Sequence, residues 1–236
     1  MFTAGSQIQD ALSRLGQRLA LVDAGEYALL ICGGSALNLA GLVDRPTRDV
    51  DVLGLVRGTE KALVAAELLP EEVSRAAQFV AADLNLPADW LNDSALAVHR
   101  LGLPTGILNR AHRWEFGPCL TLYVIGRQDQ VALKLYAALH RQNGQRHFRD
   151  LDAIEATQAE MEFAVHWLLD RKTSPEFRKA ICKISEALGF RKLQAFSGSQ
   201  SEPPAKITKP RRLSTARKIP GKRPSHRAVS RRRVGS

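Results

Sequence analysis

Apolar residues recur along the first two hundred positions with spacings that predict alternating helices and strands. Residues 7–24 repeat them at helical spacing, which predicts an amphipathic helix, and short apolar runs at 26–32 and 120–125 predict buried strands. Further helical patterns cover residues 59–69, 70–84, 128–141, 148–156, 159–170 and 175–188. This order predicts an α/β (α+β) fold, in which helices flank a small mixed sheet.

The turn after the first predicted strand is rich in small residues. Gly33, Gly34 and Ser35 follow the strand directly, and a short helix pattern begins at Ser35. A helix start leaves backbone N–H groups free to bind an anion, and glycine lets a phosphate approach the backbone closely. The Ser35 hydroxyl adds a further hydrogen-bonding group. We therefore expect Gly33, Gly34 and Ser35 to bind a phosphate group.

Two acidic residues, Asp49 and Asp51, alternate with Val50 and Val52 in the next apolar run. Alternate side chains of a strand point to the same face, so we expect both carboxylates on one face and the valines in the core. Neighbouring carboxylates repel each other, and a divalent cation removes that repulsion. Mg²⁺ suits oxygen ligands and keeps positions for water and substrate phosphate. The alternative is a glycine-rich turn beside an edge strand with two surface aspartates.

The net charge of +10 is concentrated in one segment of the chain. Residues 201–236 hold 12 Lys and Arg and one acid, whereas the first 200 residues hold 22 basic and 23 acidic residues. The segment after Phe196 has almost no apolar content, which predicts disorder over residues 197–236. Its charge can neutralise the phosphates of RNA or DNA without reading their sequence. A solvated tail without a partner is the alternative.

The rest of the chain is predicted to divide into a core of residues 1–126 and a helical subdomain of residues 127–196 that completes the site. No apolar run is long enough to span a bilayer, so we expect no membrane partner. Cys32, Cys119 and Cys182 are far apart and odd in number, which argues against disulfides and zinc. A cytoplasmic location fits this cysteine pattern.

Two patches of the sequence, within roughly residues 26–154, resemble a known superfamily. The first is GGSA at 33–36 followed by RPTRDVDV at 45–52. The second is LKLYAA at 133–138, followed by Arg141 and by RDLD at 149–152. Together they resemble the polymerase β-type nucleotidyltransferases, and most closely the bacterial nucleotidyltransferase-like proteins related to the AbiEii toxins. The resemblance implies a nucleotidyltransferase-like sheet and helical subdomain.

The resemblance also implies a reaction, in which Mg²⁺ or Mn²⁺ assists the transfer of a nucleoside monophosphate from a nucleoside triphosphate (NTP) to a hydroxyl acceptor. It implies that Asp49 and Asp51 are the catalytic metal ligands and that Gly33, Gly34 and Ser35 hold the triphosphate. An RNA such as tRNA, a protein or a small molecule would be the acceptor. A toxin-type role, with a cognate antitoxin protein as partner, is a further expectation.

The second patch implies further site residues. Lys134 is expected to bind nucleotide phosphates as a compact charge, and Asp150 to act as a base or a metal ligand. The alternatives are that Lys134 extends from the core edge towards water and that Asp150 stabilises a helix N-terminus. Arg45 and Arg48 flank Thr47, and either could pair with a phosphate, with Arg48 the nearer in sequence to the acidic pair.

The chain departs from the family pattern at two places. Polymerase-type members carry a third carboxylate on a later strand, but the run at 120–125 contains no acid. Ala153 stands where relatives often carry an acid. These departures favour a second hypothesis, a catalytically silent nucleotidyltransferase-like protein that binds nucleic acid or a partner protein. A third hypothesis is an α/β structural protein with a basic tail.

Overall fold

A mixed sheet with helices on both faces forms the body of the computed structural model, which describes residues 1–58, 61–64, 68–139, 144–190 and 193. The helices are α1 (Gly5–Leu21), α2 (Gly33–Leu39), α3 (Glu71–Leu84), α4 (Arg127–Ala138), α5 (Gly144–Ile154), α6 (Gln158–Leu169) and α7 (Pro175–Ala187). The strands are β1 (Tyr27–Cys32), β2 (Val50–Arg57), β3 (Ala62–Val64), β4 (Leu91–Asn92), β5 (His112–Glu115) and β6 (Leu120–Val124). Two short 3-10 helices cover Ser94–Leu101 and Leu108–Arg110.

The sheet has the strand order β3-β2-β1-β6-β5, and β4 pairs with the first residues of β2. β1 runs antiparallel to β2 and parallel to β6, while β5 runs antiparallel to β6. Parallel and antiparallel pairs therefore meet at β1, the central strand. The predicted α/β (α+β) fold with a small mixed sheet is confirmed.

The residues of β2 alternate between two apolar cores. Val50 and Val52 are fully buried in the first core, together with apolar side chains of α1 and α3. Leu53 is buried in the second core, which includes side chains of α4 and α6. Asp51 lies between the two valines, so the pleat turns its side chain from the first core towards α4.

One extra residue, Leu53, forms a β-bulge where β2 pairs with β1. The His99 ring lies on the first 3-10 helix and donates a hydrogen bond to the carbonyl of Leu53. Gly54 leaves room for this ring, because a Cβ there would lie 2.8 Å from His99 Nε2. The bulge also lets Val52 and Leu55, three positions apart in the chain, enter the same core.

The predicted helix over residues 59–69 is wrong in its described part, since Ala62–Val64 forms strand β3. β3 pairs with the end of β2, and this pairing outweighs the helical spacing of a short apolar pattern. The sequence predicted neither β4 nor β5. β5 is a largely exposed edge strand, so it has no apolar run to reveal it. The remaining predicted strands and helices form within a few residues of their expected bounds.

The described residues all belong to one unit, Met1–Ser199. The division into a core of residues 1–126 and a helical subdomain of residues 127–196 stays a prediction. Arg141 and the predicted disordered tail at 197–236 lie outside the described residues. Within the described ranges, no helix is both long enough and apolar enough to cross a membrane.

Candidate functional site

The two glycines after β1 give space to side chains that approach from β2 and from the loop before it. Cys32 and Asp51 are paired across β1 and β2, which brings Asp51 beside Gly33. Gly33 has φ +82°, and a Cβ there would lie 2.1 Å from Asp51 Oδ2. A Cβ on Gly34 would lie 2.8 Å from Thr47 Oγ1. Glycine is therefore required at Gly33 both by the backbone conformation and by the carboxylate.

Ser35, which the sequence suggested as a phosphate ligand, is fully buried at the start of α2. Its hydroxyl donates a hydrogen bond to the backbone carbonyl of Asp49. This bond ties the first turn of α2 to the residue that precedes β2. In this arrangement Ser35 positions Asp49 through the backbone.

Asp49 and Asp51 are both half-buried and close enough for their charges to interact. Burial raises the pKa of Asp51, and the negative charge of Asp49 raises it further. Lys134 and hydrogen bonds from Asn92 and Ser94 act in the opposite direction, with Ser94 Oγ 3.4 Å from Asp51 Oδ1. The pKa of Asp51 is raised overall, so its surroundings disfavour the ionised carboxylate. A cation placed against the two carboxylates would favour the ionised form.

The oxygen atoms at this point suit a hard divalent cation. Asp51 accepts hydrogen bonds from the Ser94 hydroxyl and from the Asn92 side chain, and Asn92 Oδ1 accepts one from Ser94. Within the described ranges, no group of three or more His, Cys, Asp or Glu side chains is placed to hold a metal. Two carboxylates alone fit a Mg²⁺ or Mn²⁺ ion that keeps several waters or phosphate oxygens as ligands.

A buried ion-pair cluster faces the acidic pair and consists of Arg45, Lys134 and Asp150. Lys134 Nζ lies 2.7 Å from Asp150 Oδ2, while Arg45 Nε and Nη2 lie 2.7 and 2.8 Å from Oδ1 and Oδ2. Burial raises the pKa of Asp150, but the hydrogen bonds and charges of Arg45 and Lys134 outweigh it and lower the pKa overall. Asp150 is therefore held ionised, with both of its oxygens engaged by cations.

The structure brings Arg45, rather than Arg48, to the glycine turn. Arg45 Nη2 lies 3.2 Å from the position that a Cβ of Gly34 would take. Arg48 instead forms an exposed ion pair with Asp89 at 2.9 Å. The nearness of Arg48 to the acidic pair in sequence does not translate into a contact, because a side chain beside a strand end can turn either way.

Helix α4 supplies one wall of the site. Its first turn is fixed by Asp129, which is fully buried and accepts hydrogen bonds of 2.7 and 2.9 Å from Arg110. Gln130 and Lys134 are four residues apart and therefore lie on the same face of the helix. Both side chains are buried and line the same cavity.

This cavity has a volume of about 320 Å³ and lies between Asp51 and α4. Asp51 and Lys134 provide its charged groups, and apolar side chains cover much of the remaining wall. Its lining residues are Cys32, Gly33, Asp51, Ser94, Ala95, Val98, Gln130, Leu133, Lys134, Tyr136, Ala137 and His147. The cavity lies within the size range of small-molecule sites, roughly 300–1,000 Å³.

The sequence did not single out Gln130 or the 3-10 helix that begins at Ser94, and it assigned no role to His147. Gln130 could have been found from its four-residue spacing to Lys134. Burial lowers the pKa of His147 to about 4, and the positive charge of Lys134 contributes to this shift. His147 is therefore neutral at physiological pH, so Lys134 is the cation that this cavity presents from α4.

Comparisons of the chain with protein-family models, curated proteins and solved structures find no match. The similarity to nucleotidyltransferases therefore rests on the two sequence patches. The geometry adds that residues from both patches, Asp51 and Lys134, line one cavity.

Proposed function

We propose that this chain is a Mg²⁺- or Mn²⁺-dependent nucleotidyltransferase that moves a nucleoside monophosphate from an NTP to a hydroxyl acceptor. The supporting observation is that one cavity contains both Asp51, beside Asp49, and the buried ammonium of Lys134. A metal-bound triphosphate is complementary to these groups, because its cation is coordinated by carboxylates and its phosphate oxygens bind a positively charged side chain.

In the proposed reaction, the acceptor oxygen forms a bond to the α-phosphorus and the bond to the β-phosphate oxygen breaks. Pyrophosphate leaves, and the hydroxyl proton passes to solvent. Asp49 and Asp51 would hold the metal, which would supply charge neutralisation and activation of the hydroxyl. Lys134 binds a phosphate oxygen. Asp150 accepts a hydrogen bond from Lys134 and so orients its ammonium, and Gly33 leaves space for the Asp51 carboxylate.

The acceptor side of the proposal is an RNA such as tRNA. The 12 Lys and Arg of residues 201–236 give the chain a sequence-independent means of binding RNA. The proposal places the protein in the cytoplasm, because three unpaired cysteines fit a reducing compartment. A toxin-type role with a cognate antitoxin is the biological setting that the sequence resemblance suggests.

The test combines binding and transfer. Wild-type protein, the variant Asp49→Asn/Asp51→Asn and the control Asp44→Asn are mixed with α-³²P-labelled NTPs, Mg²⁺ and total RNA. Asp44 is exposed, so its substitution removes a nearby carboxylate from outside the cavity. We expect label on RNA, and a rise in melting temperature with Mg²⁺ and NTP, for wild type and Asp44→Asn only. An unchanged rise in the double variant refutes the metal assignment.

A catalytically silent nucleotidyltransferase-like protein that binds nucleic acid or a partner is the second candidate. It is favoured by the engagement of both Asp150 oxygens and by the lack of a third acidic ligand among the described residues. The same experiment separates the two. The silent protein gives the Mg²⁺- and NTP-dependent rise in melting temperature without transfer of label to any acceptor.

A further inference from the structure

The side-chain amide of Gln130 is buried without a partner. Gln130 has no solvent-exposed surface, and neither Nε2 nor Oε1 has a hydrogen-bond partner among the described residues. Nearly all buried polar side chains in native proteins are hydrogen-bonded, and an unsatisfied group carries a free-energy cost. Because Gln130 lines the cavity, the missing partner is expected there.

A second residue that lines the cavity also has an unpartnered atom. His147 Nδ1 is buried without a hydrogen bond among the described residues, and the ring lines the cavity with Gln130. Much of the cavity wall is apolar, with Ala95, Val98, Leu133 and Ala137 as contributors. A few unsatisfied polar atoms set in an apolar wall are the usual features of a site for a flat, partly polar ligand group.

We propose that this part of the cavity binds the base of the nucleotide and that the Gln130 amide selects adenine. The amide oxygen accepts a hydrogen bond from adenine N6–H, while Nε2–H donates to N7, a pairing that suits the glutamine side chain geometrically. Guanine presents two acceptors, O6 and N7, at the same edge, so one of them would oppose the amide oxygen. This inference rests on the proposed function and names its substrate as an adenine nucleotide.

The position of Lys134 supports this orientation. It lies one helical turn from Gln130 on the same face of α4, and its ammonium is directed to Asp150. His147 is neutral, as its pKa of about 4 requires, so this lining residue adds no charge to the cavity. The uncharged base and the charged phosphates of one ligand thus have matching surroundings in the same cavity.

The test is isothermal titration of ATP, GTP and inorganic tripolyphosphate, each with Mg²⁺, into the full chain. Gln130→Met and Gln130→Leu remove the amide while keeping an apolar side chain of similar length or volume. Ser185→Ala is the matched control, because Ser185 Oγ is also buried and unpartnered among the described residues but does not line the cavity.

We expect wild type and Ser185→Ala to bind ATP roughly tenfold or more tightly than GTP, the scale of a good bidentate contact. The Gln130 variants should lose this preference, bind tripolyphosphate as wild type does, and unfold at no lower temperature, since no native hydrogen bond is removed. Equal binding of ATP and GTP by wild type, or an ATP preference that survives in both variants, overturns the inference.

Failure of the proposed function has a different signature. A Gln130-dependent ATP preference that is indifferent to Mg²⁺ and to Asp51→Asn leaves the adenine site standing and refutes nucleotidyl transfer. Mg²⁺-dependent binding of tripolyphosphate without any base preference refutes the adenine site and leaves the proposed nucleotidyl transfer standing. Absence of binding by all three probes overturns both.

Discussion

Replacement of Asp150 by Asn tests the buried cluster of Arg45, Lys134 and Asp150. The substitution keeps the side-chain shape but removes the charge that two cations share. The Lys134 side chain is only 7% exposed, so its ammonium would stay in a low-dielectric site without its anion. The Arg45 side chain, at 26% exposed, can regain water. Breaking a buried pair costs about 3–5 kcal/mol, and we expect the lower end of this range because Arg45 can be rehydrated.

The assay is urea unfolding of the full chain followed by circular dichroism, arranged as a double-mutant cycle with Lys134→Met. In the Lys134→Met background the ammonium is absent, so Asp150→Asn leaves less uncompensated charge. We therefore expect it to lower the free energy of unfolding by less than it does in wild type. We expect a coupling free energy within the range of about 0.5–3 kcal/mol found for residues in contact. Asp89→Asn is the control, since it breaks the exposed pair with Arg48 and should cost under about 1 kcal/mol.

Two outcomes would show that the cluster does not have this role. In the first, Asp150→Asn destabilises the protein no more than Asp89→Asn. In the second, the effects of Asp150→Asn and Lys134→Met add without coupling. Either result would mean that solvent reaches Lys134 and that its charge is not held by Asp150.

Three further predictions follow from the site and the charge distribution. Gly33→Ala should destabilise the fold by about 1–3 kcal/mol and abolish the Mg²⁺- and NTP-dependent rise in melting temperature, because the backbone is strained and Asp51 is displaced. The stability advantage of wild type over Asp150→Asn should shrink as pH falls below about 4, in urea titrations from pH 7 to pH 3. The sign follows from the lowered pKa of Asp150, whose contribution is present above the unfolded-state pKa and lost as pH falls through the folded-state value. Deletion of residues 197–236 should leave the fold intact but remove most of the salt-sensitive binding of labelled RNA, since each phosphate contact contributes a log–log slope of roughly −0.7 to −0.9.

Each of these has an outcome that contradicts it. Gly25→Ala is the control for Gly33→Ala, because Gly25 has the same φ of +82° but nothing within 4 Å of an added Cβ. If both variants lose the metal response, the contact with Asp51 is not the cause. A pH-independent difference between wild type and Asp150→Asn would show that the effect is not one of charge. If the truncated protein binds RNA with the same affinity and salt slope, the RNA-binding surface lies on the folded unit and not in residues 197–236.

The sequence was sufficient to predict where the two valines beside Asp51 lie, whereas Asp49 precedes the first residue of β2 and the shared face of the acidic pair stays a prediction. Alternation along one strand predicted that Val50 and Val52 lie in a core, and the structure confirms it. Lys134 was identified through the second sequence patch, and the structure has it lining the same cavity as Asp51. These features depend on neighbouring residues in the sequence or on one regular element, so they can be predicted without knowledge of the tertiary structure.

The long-range contacts could not be predicted in the same way. Arg45 and Asp150 are 105 residues apart, and their pairing depends on where α5 packs against the turn after α2. Gln130 is an ordinary polar residue in the sequence, and only the tertiary structure shows that it is buried without a partner. The strand β3 shows the same limit for secondary structure, since its pairing partner at the end of β2 decided its conformation.

The bulge at Leu53 limits where the chain length can change. Because alternate strand residues face opposite sides, one residue inserted between Asp51 and Leu53 would reverse the face of the acidic pair relative to the rest of β2 and turn charges into the first core. An insertion beyond Arg57 lies past the last paired residue of β2 and leaves that register untouched. Natural length variation should therefore accumulate on the β3 side of the sheet, and a tag or a split point placed there should be tolerated, while the acidic end of β2 should admit neither.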